Sequence, residues 1–366
     1  MSEARSFLAQ TGRGSAADLS RFQRQAWSNL VFSVTRRCPL QCAHCITSSA
    51  PDRALPLLDP DVASRWAGEM EDLARLGLRH VSFTGGEPTL ALPQVEAIAR
   101  AAHRAGIATS VVSSGSWGRS SRQIQRVMEA LGNVIDSWDL GYDRFHAAFL
   151  PLENFAQAAN AAAKVSGSVC VRICDDRGAE TRAIVARLWQ QLDPAVSLLV
   201  QPVHALGRGR DKPASAARAR PETMLCLATG PFVREDGTGG PCCAGLAYDA
   251  RGRHPFDLGD AARDGLVAVW RRWREDQLLR LFRLAGLTLP LAWLKEEGLS
   301  AESAGDGHVC ETCVKLWDAD GRAATILRER AADPALAARL DDLETTLFGG
   351  RWAETAEQAP AYDHVA

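Results

Sequence analysis

Short runs of β-branched and apolar residues alternate with helical patterns between Asn29 and about Val203. The helical patterns place apolar residues three and four positions apart, whereas the runs between them have the length of strands. This alternation is typical of a parallel sheet in which a helix follows each strand. The predicted strands are Leu30–Thr35, His80–Phe83, Ile107–Val112, Val134–Leu140, Val169–Ile173 and Val196–Val203.

The first predicted helix has a clear start, because Asp59 can cap it and Pro60 suits its first turn. Its apolar residues continue at helical spacing until the chain reaches Gly77, where we expect it to end. Four further helical patterns fill the gaps between the later strands. Six strand–helix units are too few to close an eight-stranded barrel, so the pattern predicts an α/β fold with an open (β/α)6 partial barrel.

Strand five shows which of its side chains face the barrel interior. Val169, Val171 and Ile173 alternate with Cys170, Arg172 and Cys174, and a period of two puts the two sets on opposite faces. Helices cover the outside of such a barrel. We therefore expect the apolar set to point outward and Cys170, Arg172 and Cys174 to point into the lumen.

The rest of the chain has a different pattern. Gly207–Pro221 lacks hydrophobic periodicity and is interpreted as a linker. A second cysteine-bearing region follows, Arg322–Leu347 is typical of helix, and residues 356–366 are expected to be disordered. The predicted organisation is an N-terminal arm, a barrel, a linker, a small cysteine-rich domain and a helical tail. Their bounds are 1–27, 28–206, 207–222, 223–320 and 321–366.

Composition narrows the functional classes. The 366 residues allow about two domains. A formal charge of −2 argues against general attraction to nucleic acid or to an anionic membrane. No segment approaches the ~20 apolar residues of a membrane span. No apolar signal region follows the N-terminus, so we expect a cytoplasmic protein whose ten cysteines stay reduced and bind metal.

Three of those cysteines are spaced Cys38-x3-Cys42-x2-Cys45. Three thiolates in eight residues can ligate three irons of a [4Fe–4S] cluster and leave the fourth iron open. Zinc, disulfides and a ferredoxin are the alternatives. Zinc would require a fourth ligand such as His44 in poor geometry, disulfides do not suit a reducing cytosol, and a ferredoxin normally supplies a fourth nearby cysteine.

A second motif follows the second predicted strand, the tetrapeptide Gly85-Gly86-Glu87-Pro88. Its position is the carboxyl edge, where parallel sheets place their sites. The cysteine spacing and this turn together resemble the radical S-adenosylmethionine (SAM) superfamily. The resemblance implies that the open iron chelates the methionine part of SAM. It also implies that Gly85, Gly86, Glu87 and Pro88 hold the SAM amino group, and that an electron from the cluster generates a 5′-deoxyadenosyl radical.

The same resemblance suggests further SAM-binding residues at the ends of the predicted strands. These residues are His44, Ser113, Ser114, Asp143, Arg172 and Gln201. Gly141 stands where the family carries a serine, and glycine has no side chain that could contact the SAM carboxylate. A luminal thiol, Cys174 or Cys170, is a candidate hydrogen-atom donor to a substrate radical, although a buried cysteine is usually a small hydrophobe.

A second constellation comprises Cys226, Cys242, Cys243, Cys310 and Cys313. Residues 236–243 are interpreted as a hairpin turn that delivers one or two thiolates. The region resembles the SPASM/twitch extension of radical SAM enzymes, which implies one auxiliary [4Fe–4S] cluster held by Cys226, Cys310, Cys313 and either Cys243 or Cys242. Cys243 is slightly preferred. A four-cysteine zinc site is the alternative.

The resulting functional prediction is a radical SAM oxidoreductase that abstracts a substrate hydrogen. A ribosomally made peptide is the preferred substrate, modified by crosslinking, oxidation or epimerisation. Oxidation of a small molecule such as an aminoglycoside precursor is the alternative. This alternative is kept because too few residues precede the first strand to form a peptide-recognition domain. A separate recognition protein and a flavodoxin- or ferredoxin-type reductant are the expected partners. A non-catalytic electron carrier is the alternative from another class, but a carrier needs no SAM pocket. Nucleic-acid modification is not favoured, because the sequence has no basic or aromatic surface tract.

Overall fold

The computed structural model of the chain describes residues 26–175, 179–210, 226, 228, 230–243, 254–299, 309–317 and 321–348. One sheet has the strand order β6-β5-β4-β3-β2-β1-β7-β8. Neighbouring strands are parallel except β7 and β8, which form an antiparallel hairpin. The strands are β1 Asn29–Ser33, β2 His80–Thr84, β3 Ala108–Ser113, β4 Ser137–Gly141, β5 Ser168–Asp175, β6 Ser197–Pro202, β7 Phe232–Arg234 and β8 Gly239–Gly240.

The first six strands confirm the predicted open (β/α)6 sheet, with ends shifted by a few residues. The predicted hairpin over residues 236–243 is also confirmed, since β7 and β8 flank its turn. β7 lies parallel to β1, so the cysteine-rich region adds its hairpin to the first edge of the sheet. The predicted domain boundaries stay a prediction.

Fourteen helices are described besides short 3-10 turns. They are α1 Pro60–Gly68, α2 Met70–Arg75, α3 Leu92–Arg104, α4 Ser121–Leu131, α5 Arg144–Ala147, α6 Leu152–Ala163, α7 Ala179–Gln191, α8 Ala261–Asp264, α9 Leu266–Glu275, α10 Gln277–Ala285, α11 Thr288–Glu296, α12 Val309–Leu316, α13 Arg322–Ala331 and α14 Pro334–Phe348. Within the described part of the chain, none of these helices combines the length and apolar character needed to cross a membrane.

Two predicted helical segments are interrupted in the structure. Asp59 caps α1 as expected, but the helix breaks at Glu69, whose carboxylate accepts a hydrogen bond from Val267 N at 3.0 Å. The C-terminal segment divides into α13 and α14 at Pro334, because proline has no N–H to continue the helix. Asp333 accepts a hydrogen bond from Ala335 N at 2.9 Å and starts the second piece.

The core lies between the sheet and its helices. The Phe32 ring stacks on both Trp66 and Phe83, with centroids 5.6 Å apart in each case. Alternate residues on the other face of the sheet are polar, and the hydroxyls of Ser82 and Ser110 are hydrogen-bonded at 2.8 Å. Period-two alternation therefore separates an apolar outer face from a hydroxyl-rich lumen.

Helix α14 is attached to α10 through a buried ion pair. The guanidinium of Arg280 donates to Glu344 Oε1 at 2.8 Å and to Asp341 Oδ1 at 2.7 Å. The side chains of Arg280 and Glu344 are almost fully buried, whereas that of Asp341 is 36% exposed. The buried partner should matter more, because removing it leaves a desolvated charge.

Replacing Glu344 by alanine should lower the free energy of unfolding by about 3 kcal/mol, since the buried guanidinium loses its main partner. The matched Asp341→Ala variant should lose less than about 1 kcal/mol, because that carboxylate is partly solvated. Urea unfolding followed by circular dichroism measures both values. Equal losses in the two variants would contradict the assignment.

Candidate functional site

The three-cysteine loop leaves the carboxyl end of β1. Cys38 N donates to Ala50 O at 2.9 Å, and Cys45 N donates to Cys42 O at 3.2 Å, so the loop is held by backbone bonds at both ends. The thiols of Cys38 and Cys42 are buried, and Cys45 is half-buried. The loop thus collects three thiols in one sheltered place.

Burial raises the pKa of the Cys38 and Cys42 thiols to about 12, and neighbouring thiolates add to the effect. Burial also raises the pKa of Cys45, but hydrogen bonds from Thr47 and Ser49 outweigh it, so the pKa of this thiol is lowered. Three thiolates so close together are unfavourable unless positive charge neutralises them. This donor set fits a metal cluster that binds thiolates.

The Gly85-Gly86 turn packs directly on the backbone that leads into this loop. Gly86 N donates to Thr35 O at 2.6 Å, and Glu87 N donates to Arg37 O at 2.8 Å. A Cβ on Gly85 would lie 2.2 Å from Thr35 O, and one on Gly86 would lie 2.0 Å from Arg37 O. Both positions therefore require glycine, because their closest neighbours are chain backbone.

Glu87 joins that turn to the end of β3. Its carboxylate is fully buried and accepts hydrogen bonds from the hydroxyls of Ser113 at 2.8 Å, Ser114 at 2.5 Å and Thr89 at 2.8 Å. The backbone N–H of Ser114 adds another bond at 2.9 Å. Glu87 also caps the 3-10 turn Pro88–Ala91. The buried acid thus orients two turns at the carboxyl edge.

A second polar network surrounds Asp143. This carboxylate caps α5 and accepts a hydrogen bond from His146 Nδ1 at 2.8 Å, and its other oxygen lies 3.4 Å from His44 Nε2. Burial opposes ionisation, but the two histidines hold the pKa of Asp143 well below its usual range. Burial likewise lowers the pKa of His44, but hydrogen bonds to Asp143 and Cys174 outweigh it and raise the value to about 10.

The alternation predicted for strand five is observed. Val169, Val171 and Ile173 are buried on the helical side, whereas Cys170, Arg172 and Cys174 are more exposed. The three polarisable side chains therefore lie on the lumen side of the sheet.

Arg172 forms an ion pair with Asp139 and donates to Gln201 Oε1 at 3.4 Å. Gln201 Nε2 in turn donates to Cys174 Sγ at 3.6 Å. The pKa of Arg172 is raised, first by Asp139 and to a smaller extent by Cys170 and Cys243. The Arg172 side chain on β5 therefore lies near Cys243 of the second cysteine group.

The second cysteine group is brought together by three segments. Cys310 and Cys313 lie one turn apart on α12, Cys243 follows β8, and Cys226 N donates to Phe282 O of α10 at 3.2 Å. Burial raises the pKa of Cys310 well above its ordinary value, and Cys226, Cys313 and Cys243 add to the effect. These four thiols are close enough to act on one another.

Cys242 is buried next to Arg283. Burial lowers the pKa of Arg283 to about 10 against the opposing charges of Cys226 and Cys242. The Arg283 guanidinium lies over the rings of both Trp27 and Trp273, 5.0 and 4.7 Å from their centroids. Cys243 acts on both Cys226 and Cys310, so it stays the preferred prediction for the fourth member of the group.

Residues 32–163, which contain the cysteine loop and the Gly85–Pro88 turn, match the family model of the radical SAM superfamily. Residues 32–163 therefore carry the sequence pattern of the radical SAM superfamily. This match implies a [4Fe–4S] cluster and SAM. The three sheltered thiols and the glycine turn beside them fit these groups, since thiolates ligate such clusters.

Curated relatives are similar to this chain over short segments. It is 35% identical over 85 residues to PqqA peptide cyclase of Rhodopseudomonas palustris, covering 23% of this chain and 22% of that protein. It is 30% identical over 124 residues to PqqA peptide cyclase of Methylobacterium nodulans, covering 34% of this chain and 29% of that protein. The chain therefore matches less than a third of the length of these two relatives. Among solved structures, anSMEcpe with bound AdoMet aligns at a TM-score of 0.47 and 13% identity, over 86% of this chain and 99% of that one.

Two site residues were missed at the sequence level. Arg208 lies in the Gly-Arg-rich run that was interpreted as linker, yet its side chain donates to Cys42 O at 3.0 Å. Asp139 pairs with Arg172 from the neighbouring strand. The alternation of β4 and β5 offered a signal for Asp139, because diagonal neighbours on the same face of paired strands are within reach of long side chains. No local pattern pointed to Arg208.

A Gly86→Ala variant should lose most of the iron of the first site, because its methyl group would displace the backbone that precedes Cys38. Gly68→Ala is the matched control, since a Cβ there has no neighbour within 4 Å. Iron analysis after anaerobic reconstitution measures the difference. Full iron loading in Gly86→Ala would show that the turn does not position the loop.

Proposed function

We propose that this chain binds a [4Fe–4S] cluster through Cys38, Cys42 and Cys45 and uses SAM to abstract a hydrogen atom from a peptide substrate. The observation that carries this proposal is the sheltered trio of thiols packed beside the Gly85–Gly86 turn. When bound, a cluster with an open iron supplies the electron that cleaves SAM to a 5′-deoxyadenosyl radical. The chain itself contributes binding, orientation and exclusion of water.

Several residues at the carboxyl edge are proposed to hold SAM. Gly85, Gly86, Glu87 and Pro88 would present backbone carbonyls to its ammonium group, with Glu87 held in place by Ser113 and Ser114. The remaining polar contacts would come from the lumen-facing groups His44, Asp143, Arg172 and Gln201. Because Arg172 already pairs with Asp139, its binding of a carboxylate would exchange one acid for another.

An auxiliary [4Fe–4S] cluster held by Cys226, Cys243, Cys310 and Cys313 is also proposed. The resemblance of this region to the SPASM/twitch extension supports a cluster, and a four-cysteine zinc site is the alternative.

The site and the relatives support the proposed substrate and partners. The matched relatives are named as peptide cyclases, which favours a peptide over a small molecule. Cys243 lies close to the lumen residue Arg172, so an auxiliary cluster there could accept an electron from a substrate radical. Cys174 or Cys170 would be the donor if hydrogen is returned to the substrate instead. Cysteines that ligate clusters must stay reduced, which suits a cytoplasmic enzyme supplied by a flavodoxin- or ferredoxin-type reductant.

Cys38→Ala should abolish formation of 5′-deoxyadenosine from SAM, because the first cluster loses one of its three ligands. Cys310→Ala should retain slow SAM cleavage without substrate, since it affects only the auxiliary site. Liquid chromatography of anaerobic, dithionite-reduced reactions measures the product. Cleavage by Cys38→Ala at the unmodified rate would refute the proposed function. Product formation stimulated by an amino sugar, with no response to peptides from neighbouring reading frames, would favour a small-molecule substrate.

The adjacent cysteines can be separated by a second pair of variants. Cys243→Ala should lower the iron content by about four atoms per chain, because Cys243 faces Cys226 and Cys310. Cys242→Ala should keep that iron, because Cys243 and not Cys242 is among the groups that raise the pKa of Cys226 and Cys310. Metal analysis for both iron and zinc gives the result. The reverse outcome would assign the ligand to Cys242, and loss of zinc would reject an auxiliary cluster.

A further inference from the structure

The chain returns to the three-cysteine loop immediately after β6. The 3-10 turn Gly207–Gly209 carries Arg208 against the loop, and Arg208 N donates to Cys45 O at 3.0 Å. The side-chain Nε of Arg208 donates to Cys42 O at 3.0 Å. One residue thus binds the backbone at two of the three cysteines, although 166 positions separate it from Cys42.

The flanking glycines allow this close approach. Gly207 has a φ of +54°, and a Cβ there would lie 2.5 Å from Cys45 O. A Cβ on Gly209 would lie 2.8 Å from His204 O and 3.4 Å from His44 O. The turn is therefore shaped to bring its middle residue close to the cysteine loop.

The end of the Arg208 side chain is only partly used by these contacts. Its Nη2 is buried and has no hydrogen-bond partner among the described residues. No carboxylate of the described chain lies within ion-pair distance of it. A buried guanidinium N–H without an acceptor is costly, so the arrangement favours an acceptor or a negative charge that the described residues do not supply.

The three thiols are the negative groups that this cation faces. Burial is the main influence on the pKa of each thiol, and the charge of Arg208 lowers the pKa of all three. The nearby acids are already engaged, Glu87 by hydroxyl groups and Asp143 by two histidines. The positive charge of Arg208 can therefore interact with a group that the three cysteines bind.

We propose that Arg208 is the counter-cation of the first cluster, donating from Nη2 to a cluster sulfur and stabilising the reduced state. This inference rests on the proposed function, because it assumes a [4Fe–4S] cluster on Cys38, Cys42 and Cys45. Reduction adds one negative charge to the cluster, and a fixed cation in a buried site stabilises the more negative state. Charge and hydrogen bonds to sulfur are established determinants of the reduction potential of such clusters.

The test is a potentiometric EPR titration in a Cys310→Ala background, where the first cluster alone contributes the signal. Arg208→Gln removes the charge, and Arg208→Lys keeps it on a different side chain. Arg210→Gln makes the same charge change two residues away at an exposed position. We expect Arg208→Gln to keep about four irons per chain and to titrate at a more negative potential than the parent. Arg208→Lys should lie between them, and Arg210→Gln should match the parent.

Three outcomes would overturn the inference. If a fully loaded Arg208→Gln variant titrates at the potential of the parent, the charge is not responsible. The same conclusion holds if Arg208→Lys and Arg208→Gln shift the potential equally. Failure of both variants to bind iron would make Arg208 a structural support of the loop. Absence of a cubane signal in the parent itself would instead contradict the proposed function, so the two failures can be told apart.

Discussion

The backbone contact between the Gly85-Gly86 turn and residues 35–37 is the constraint on which the rest of the site depends. Two short hydrogen bonds join the end of β2 to the chain that leads from β1 into the cysteines. Because both glycines touch backbone, the contact has no side chain that could adjust. Glu87 then extends the same connection to β3 through Ser113 and Ser114. Three adjacent strand ends are thus fixed to one another before any cofactor binds.

The lumen connects the two cysteine groups. His44 belongs to the first loop and interacts with Asp143 and Cys174, whereas Arg172 on the same strand as Cys174 lies near Cys243 of the second group. A path of polar side chains therefore runs across the sheet from one set of thiols to the other. Under the proposed function, a substrate bound between them would be close both to the first cluster and to the auxiliary cluster.

The sequence predicted those features that depend on short-range pattern. The six strands, the luminal face of β5 and the three-cysteine loop all follow from alternation or spacing within a few residues, whereas the second cysteine group was inferred from a resemblance. Features that depend on distant contacts were not predictable. Arg208 resembles a linker residue because its partner Cys42 is remote in the chain, and only tertiary packing distinguishes Cys243 from Cys242. The hydrogen bond that Glu69 accepts from Val267, at the break between α1 and α2, likewise joins residues far apart in the chain.

The central claim is that an iron left open by Cys38, Cys42 and Cys45 binds the methionine part of SAM. The most direct measurement is pulsed EPR on the dithionite-reduced protein with SAM labelled by ¹⁵N at the amino group and ¹⁷O at the carboxylate. The account predicts hyperfine coupling from both labels to the cluster. A spectrum that is unchanged by SAM, in protein shown to hold a reduced cubane, would contradict it.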